Sequence, residues 1–441
     1  MNGQDGRTGT GLSFRKPIWL VVAFVIIGSG AAGMQAATRL RELGKEVILV
    51  SREARAYSLC SLPYLLSGEF AEERIMTQDA RALQDIGIQP MFGREARETV
   101  PASKMVRLDD GTELEYEALL IATGSVPFKP PILMVDIPGL FYFNSLDDTR
   151  KLMEAARTAK KAVVIGAGFS GLECAYALRK RGLEVSVVEM EDRVLPRILD
   201  RDMSPPVEEI METNGVHLHL KSKVLGFGPK DCRIAVQLEG LDKKLIEVRT
   251  DLVVLCLGVR PDLSLARSAG VKTNRGILVG PNMQTSVDGI YAAGDVAEFD
   301  GQIPATWLTA AIQGGMAASN MAGEKAVFSH LDQVNIATLF GTPVVGIGTP
   351  ATYEKGKFEQ KLWKKQGVWR KLIITDGKTT GFQSVGDLNV KGLVSLLSKD
   401  LAPLQETFAK AGMGHPMLAC AHAFGMAKAP GKRKSYTRKP K

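Results

Sequence analysis

Cysteine is scarce in this chain. Its 441 residues hold five, at positions 60, 174, 232, 256 and 420, and no two form a CxxC pair. That excludes a disulfide scaffold, a zinc ribbon, a thioredoxin-type motif and an iron–sulfur ligand set, and an odd, scattered set fits a reducing compartment such as the cytoplasm. Histidine is equally sparse; His217 and His219 alternate on one strand face without a third ligand nearby, so no metal site is expected. A long apolar run is missing too. The stretch from Ile18 to Ile27 follows Arg15 and Lys16 as a signal peptide would, but it is too short to span a bilayer. It also leads directly into GSGAAG, a motif that cleavage would destroy, so it reads as a buried first strand behind a dispensable Gly-rich extension.

What is present is ordinary for a globular chain: 45% apolar and 24% charged residues, with 45 Gly and 21 Pro. The length implies two or three domains. The net charge of +8 sits mostly in residues 428–441, KAPGKRKSYTRKPK, which hold seven Lys or Arg and no acid. The rest is near neutral. The tail is expected to be a disordered, solvated appendage, and with only Tyr436 to stack on bases no nucleic-acid partner is expected.

Two glycine motifs carry the chemistry. The strand Val22–Ile27 runs into Gly28-Ser29-Gly30-Ala-Ala-Gly33, followed by a helical stretch and a second strand, Glu46–Val50. The pattern returns as Ala162–Ile165, Gly166-Ala-Gly168-Phe-Ser-Gly171, a helix and the strand Glu184–Val188. Each unit also closes alike, LLIATG at Gly124 and VVLCLG at Gly258. In such a strand–turn–helix the first glycine makes the turn, the second admits a pyrophosphate and the third lets the helix pack on the sheet. The helix N-terminus then faces the phosphates. Two complete units imply two dinucleotides, and the economical chemistry between them is hydride transfer.

In the second unit Glu189 ends the second strand, placed to bind both ribose hydroxyls of an adenosine, and a 2′-phosphate would meet its charge. NADH is therefore favoured over NADPH, with Arg193 four residues on as the opposing influence. Glu173 follows Gly171. The first unit ends its second strand at Ser51, which leaves Glu53 as the ribose candidate.

Taken in order, these motifs resemble the pyridine nucleotide–disulfide oxidoreductase family over about residues 20–350. GSGAAG is similar to the family's FAD phosphate turn, LLIATGSVP with Thr123 and Gly124 to the segment returning to the flavin, and GAGFSGLE to the NADH turn. GVRPD from Gly258 and TSVDGIYAAGDVAE match later landmarks; in the latter Asp295 corresponds to the residue contacting the ribityl chain and pyrophosphate. TWLTAAIQGGMAASNMAG resembles the helix beside the isoalloxazine. The resemblance implies an α/β fold with two doubly wound Rossmann-like domains and a C-terminal α+β interface domain. Residues 18–145 and 271–330 would form a discontinuous FAD domain, 146–270 the NADH domain and 331–427 the interface domain of a homodimer. Residues 1–17 and 428–441 would be flexible tails.

YSLCSLPY at 57–64 narrows the resemblance. Two-cysteine members carry CxxxxC here, but position 65 is Leu65. A lone Cys before xLPY resembles the single-cysteine branch of coenzyme A-disulfide reductases, persulfide reductases, NADH oxidases and NADH peroxidases. The resemblance then implies a cycle in which NADH reduces FAD and the electrons pass to a disulfide or sulfenic acid on Cys60, whose thiolate attacks the next acceptor. A thiolate entering a helix would be stabilised by its N-terminus. Coenzyme A members carry Ser four residues before the Cys and Asn just before it, where this chain has Ala56 and Leu59; Arg41 matches a position that contacts coenzyme A phosphates.

The remaining cysteines read mainly as structure. Cys174 lies in a helix and Cys256 inside the apolar strand LVVLCLG, both expected in the core. Cys420, between His415 and His422, could approach a partner's flavin in a dimer. Alternating stretches such as WRKLIITDG and TTGFQSVGD suggest a C-terminal antiparallel sheet closed by helices from KGLVSLLSKDL onward. Two functions follow: a reductase of a small disulfide, persulfide or peroxide through Cys60, or a subunit exchanging electrons between NADH and a partner redox protein or dehydrogenase. Neither needs a membrane span.

Overall fold

Five consecutive buried residues, Ala23–Ile27, form the first strand, apolar on both faces as a strand inside a parallel sheet must be. The structure, a computed structural model, describes residues 22–130, 137–231, 233–303, 305–329, 333–348 and 358–387. Ala23–Ile27 pairs in parallel with Val47–Ser51 on one side and Glu113–Ile121 on the other. Ile88–Phe92 extends the sheet beyond Val47–Ser51, and Ile290–Ala292 extends it beyond Glu113–Ile121. Glu113–Ile121 changes character along its length. It alternates exposed and buried residues where Met105–Leu108 pairs with it antiparallel, then becomes wholly buried where the parallel sheet takes over.

The second unit repeats this plan. Lys161–Ile165 is flanked in parallel by Glu184–Val188 and Leu252–Leu255, and Val216–His219 extends the sheet beyond Glu184–Val188. At the far edge Leu140–Tyr142 pairs with Leu252–Leu255. That short strand lies on the FAD side of the expected boundary at 145, and three residues without a motif gave no sign of it. Each unit carries an antiparallel excursion before its last central strand. In the second it is the three-stranded sheet Lys223–Lys230, Arg233–Glu239 and Leu245–Thr250.

A C-terminal antiparallel sheet follows, in the order Val334–Leu339, Thr342–Ile347, Lys378–Val385, Val368–Thr375 and Phe358–Lys365. It docks on the second unit through Lys371, only 3% exposed, whose ammonium lies 2.5 Å from Asp200 and 2.8 Å from Asp202. The closing helices, Cys232, Cys420, His415, His422 and both tails lie outside the described residues. Among the described residues no helix is long and apolar enough to cross a membrane.

Candidate functional site

The two glycine turns share one geometry. Gly28 has φ +114°, and a Cβ on it would fall 2.1 Å from the Ala122 carbonyl oxygen; one on Gly33 would fall 1.8 Å from the Gly28 carbonyl oxygen. In the second turn Gly166 has φ +107° and Gly171 presses equally closely on Gly166. Gly30 and Gly168 differ: a Cβ there would meet nothing within 4 Å. They face open space, which is what a cradle for a pyrophosphate requires. Neither helix that follows, Ala31–Glu42 or Phe169–Lys180, has a side-chain cap, so no side chain claims the N–H groups that would face a phosphate. Both turns fit the group that the sequence implies.

A cleft of about 520 Å³ opens over the first turn. Gly28, Ser29, Gly30, Glu53, Thr123 and Gly124 line it, and so do Cys60 and Asp295. Ser125 donates a hydrogen bond to Asp295 at 3.1 Å, yet burial dominates and raises that carboxyl above its ordinary range. Thr123 donates to the Asp262 carbonyl at 2.9 Å, and the strand Ser125–Pro127 pairs with Val259–Pro261 just past Gly258. The two closing motifs, LLIATGSVP and GVRPD, are thereby tied together across the units.

The strand Val47–Ser51 finishes in Ser51, buried and bonded to Ser29 across 2.8 Å. The Glu53 backbone N–H donates to the Ser51 hydroxyl. Glu53 itself is half-buried; burial raises its pKa against the opposing pull of Arg52, and Tyr57 is its hydrogen-bond partner. Ser51, which spacing put at the strand end, and Tyr57, which no spacing rule signalled, thus belong to this corner as much as Glu53 does.

Cys60 sits exposed in a single 3₁₀ turn, Leu59–Ser61, that runs into the short helix Leu62–Ser67. That helix packs against Phe169–Lys180 of the second unit: Tyr176 donates to Glu69, and the Arg181 guanidinium donates to the Leu66 carbonyl. The cleft consequently gathers residues from both units. Phe169, Ser170 and Glu173 line it beside Cys60. Burial pushes the Glu173 carboxyl up to about 8, so at neutral pH it holds its proton.

The glycines of the second turn lie outside this lining, although Phe169 and Ser170 between them contribute to it. Glu189 accepts hydrogen bonds from the Ala167 N–H at 2.7 Å and the Glu191 N–H at 3.0 Å, which fixes its carboxylate beside the glycines. Arg193, the opposing influence expected from the sequence, spends its guanidinium on the Leu199 and Pro196 carbonyls and on Asp192. Arg41 is likewise committed, to the Ile86 and Lys45 carbonyls and to Glu46. Cys174 is buried as expected, but Cys256 falls beyond the end of its strand, Leu252–Leu255, and is half-buried.

Comparison with known proteins agrees with this geometry. The family model described as pyridine nucleotide-disulphide oxidoreductase matches residues 22–314. The chain is 33% identical over 414 residues to an NADH oxidase of Methanocaldococcus jannaschii, covering 85% of this chain and 90% of that protein. It is 30% identical over 403 residues to the epsilon subunit of an NADH-dependent phenylglyoxylate dehydrogenase of Aromatoleum evansii, covering 87% and 94% respectively. Among solved structures, an NAD-dependent persulfide reductase from A. fulgidus superposes with a TM-score of 0.77 at 30% identity, over 90% of this chain and 78% of that one.

Proposed function

Since the chain belongs to the pyridine nucleotide-disulphide oxidoreductase family and is an NAD(P)H oxidoreductase, we propose that it delivers electrons from NADH to a disulfide, persulfide or peroxide through Cys60. One observation carries this reading. Cys60 lies on the wall of the cleft that holds the first glycine turn and Asp295, and the second unit contributes Glu173 to that same cleft. FAD, when bound, supplies a two-electron acceptor for hydride. Gly28, Gly30 and Asp295 would hold it, with Thr123 and Gly124 closing the cleft beside them.

The task of Cys60 is nucleophilic. Its thiolate attacks one sulfur of a disulfide, forming a mixed disulfide and expelling the other half as a thiolate. With a peroxide the new bond is S–O, the O–O bond breaks and an alkoxide or hydroxide leaves. Two electrons from NADH then break the S–S or S–O bond, releasing the second thiol or, with a proton, water, and return Cys60 to the thiolate. Glu173, whose carboxyl burial pushes up to about 8, lines the same cleft and is the candidate proton donor to the departing group.

For the pyridine nucleotide, the fixed Glu189 carboxylate and the committed Arg193 both support NADH over NADPH. Steady-state kinetics should show a higher kcat/KM for NADH, and Glu189→Gln should narrow the gap. A preference for NADPH in the native protein would contradict it. The cysteine usage and the family resemblance support a homodimer in a reducing cytoplasm.

A second reading, an electron-transfer subunit serving a partner redox protein, is supported by the near full-length similarity to the dehydrogenase epsilon subunit. Cys60→Ser separates the two. The variant should keep its flavin and reduce artificial dyes at the native rate while losing turnover of disulfide, persulfide and peroxide. Equal turnover of such an acceptor by both proteins would remove Cys60 from the mechanism. A native protein that reduces none of them but serves a protein acceptor would favour the second reading.

A further inference from the structure

Two cysteines meet beneath the second glycine turn. Cys174 is fully buried on the helix Phe169–Lys180, and Cys256 packs against the same core cluster from the end of Leu252–Leu255. A Cβ on Gly171, one helical turn before Cys174, would lie 3.5 Å from the Cys256 Cβ. Burial raises the Cys174 thiol above its ordinary range, and the Cys256 thiol beside it adds to the same direction. The Cys256 backbone is also part of the turn itself, because a Cβ on Gly166 would fall 2.4 Å from the Cys256 carbonyl oxygen. Topology places this pair at a sensitive point. The strand order of the second sheet reverses between Lys161–Ile165 and Leu252–Leu255, and open α/β sheets bind their ligands at the carboxyl ends of the strands flanking such a reversal. Cys256 is the first residue past one of those ends.

We propose that Cys174 and Cys256 form a second redox centre, a dithiol that peroxide closes to a disulfide, weakening dinucleotide binding at the second turn. The effect on binding rests on the NADH reading of that turn; the bond itself does not. Cys256, the half-buried partner, reacts first. Its sulfur attacks one peroxide oxygen, an S–O bond forms, the O–O bond breaks, and the departing hydroxide takes a proton and leaves as water. The Cys174 sulfur then displaces the sulfenic oxygen; an S–S bond forms, the S–O bond breaks and a second water leaves. Two thiols have lost two electrons and two protons, and one peroxide has become two waters. The order suits the environment, since burial pushes the Cys174 thiol up and makes it the slower nucleophile toward solvent oxidants. Closing the bond ties the helix to the strand end and moves the carbonyl on which Gly166 turns.

The test uses flavin-loaded protein carrying Cys60→Ser, so that Cys60 does not compete. After stoichiometric hydrogen peroxide and alkylation, peptides are mapped without reductant. The expected result is a linked pair containing Cys174 and Cys256, released by dithiothreitol and absent from the additional variant Cys256→Ser. Affinity for NAD⁺, read by calorimetric titration, should fall about five- to a hundredfold on oxidation and stay constant in Cys174→Ser. Recovery of both cysteines as separately alkylated peptides, or of Cys256 as a sulfinic acid, would overturn the proposal. A linked pair with unchanged NAD⁺ affinity would overturn the coupling. Alkylation of Cys256 with and without NAD⁺ distinguishes the causes: shielding by NAD⁺ keeps the turn as its site, and no shielding places the fault in that assignment.

Discussion

Glu173 of the second unit lines the cleft that the first glycine turn opens into, and its environment has a measurable consequence. Its folded pKa of about 8 lies well above the ordinary carboxylate value because burial disfavours the charge. Between those two values the folded state keeps a proton that the unfolded chain releases, so the stability it supports is complete at low pH and is lost as pH rises through 8. Urea unfolding of the flavin-loaded protein should show wild type weakening across that window while Glu173→Gln stays nearly flat. Parallel profiles would mean the carboxyl is ionised in the folded state. Residues with a backbone reason were legible in the sequence: Gly28, Gly33, Gly166 and Gly171 because only glycine survives the contacts around them, Gly30 and Gly168 because a ligand must approach. Residues defined by what a side chain reaches were not. Arg193 and Arg41 looked available for phosphates and instead tie down their own loops, and Ser51 shares with Tyr57 the corner where spacing put Glu53 as a ribose candidate.

Among the elements, the C-terminal sheet has the least sequence-visible attachment. Alternation in Val368–Thr375 and Lys378–Val385 disclosed an antiparallel pair, but no pattern announced that Lys371 would be buried against Asp200 and Asp202 on the second unit. Removing Lys371 leaves the part-buried Asp200 and the more exposed Asp202 without their cation, at a cost of about 1 kcal/mol after solvent screening. Lys371→Ala should therefore lower the thermal midpoint while leaving the first glycine turn and its flavin content intact. An unchanged midpoint would show that the Asp200 N–H bond to Gln383 and apolar contacts such as Gly346 against Ile198 hold the sheet without Lys371. The central strands of both units were readable because burial on both faces makes continuous apolar runs. Leu140–Tyr142 was not, being a three-residue edge whose place is set by its neighbour Leu252–Leu255. Cys256 was placed inside its strand because the apolar run continues to Leu257, whereas the strand ends at Leu255 and only the Cys256 N–H still reaches the Ile165 carbonyl.

For the whole molecule, the order of motifs along the chain indicated two dinucleotide units. What it left open was how Cys60 relates to both. That relation comes from the helix Leu62–Ser67 packing on Phe169–Lys180, a contact between segments far apart in sequence. It places the thiol, the first glycine turn and Glu173 around one cleft. Cys60 as proposed is an electron-carrying thiol in line between NADH and the acceptor, and counting electrons tests that role most directly. The flavin-loaded protein, isolated with Cys60 oxidised, is titrated anaerobically with NADH while the flavin absorbance is followed. Each hydride carries two electrons, so a redox-active Cys60 requires about two NADH per flavin for full reduction, falling to about one in Cys60→Ser. A native protein that reaches full reduction at about one NADH per flavin, indistinguishable from the serine variant, would contradict the account.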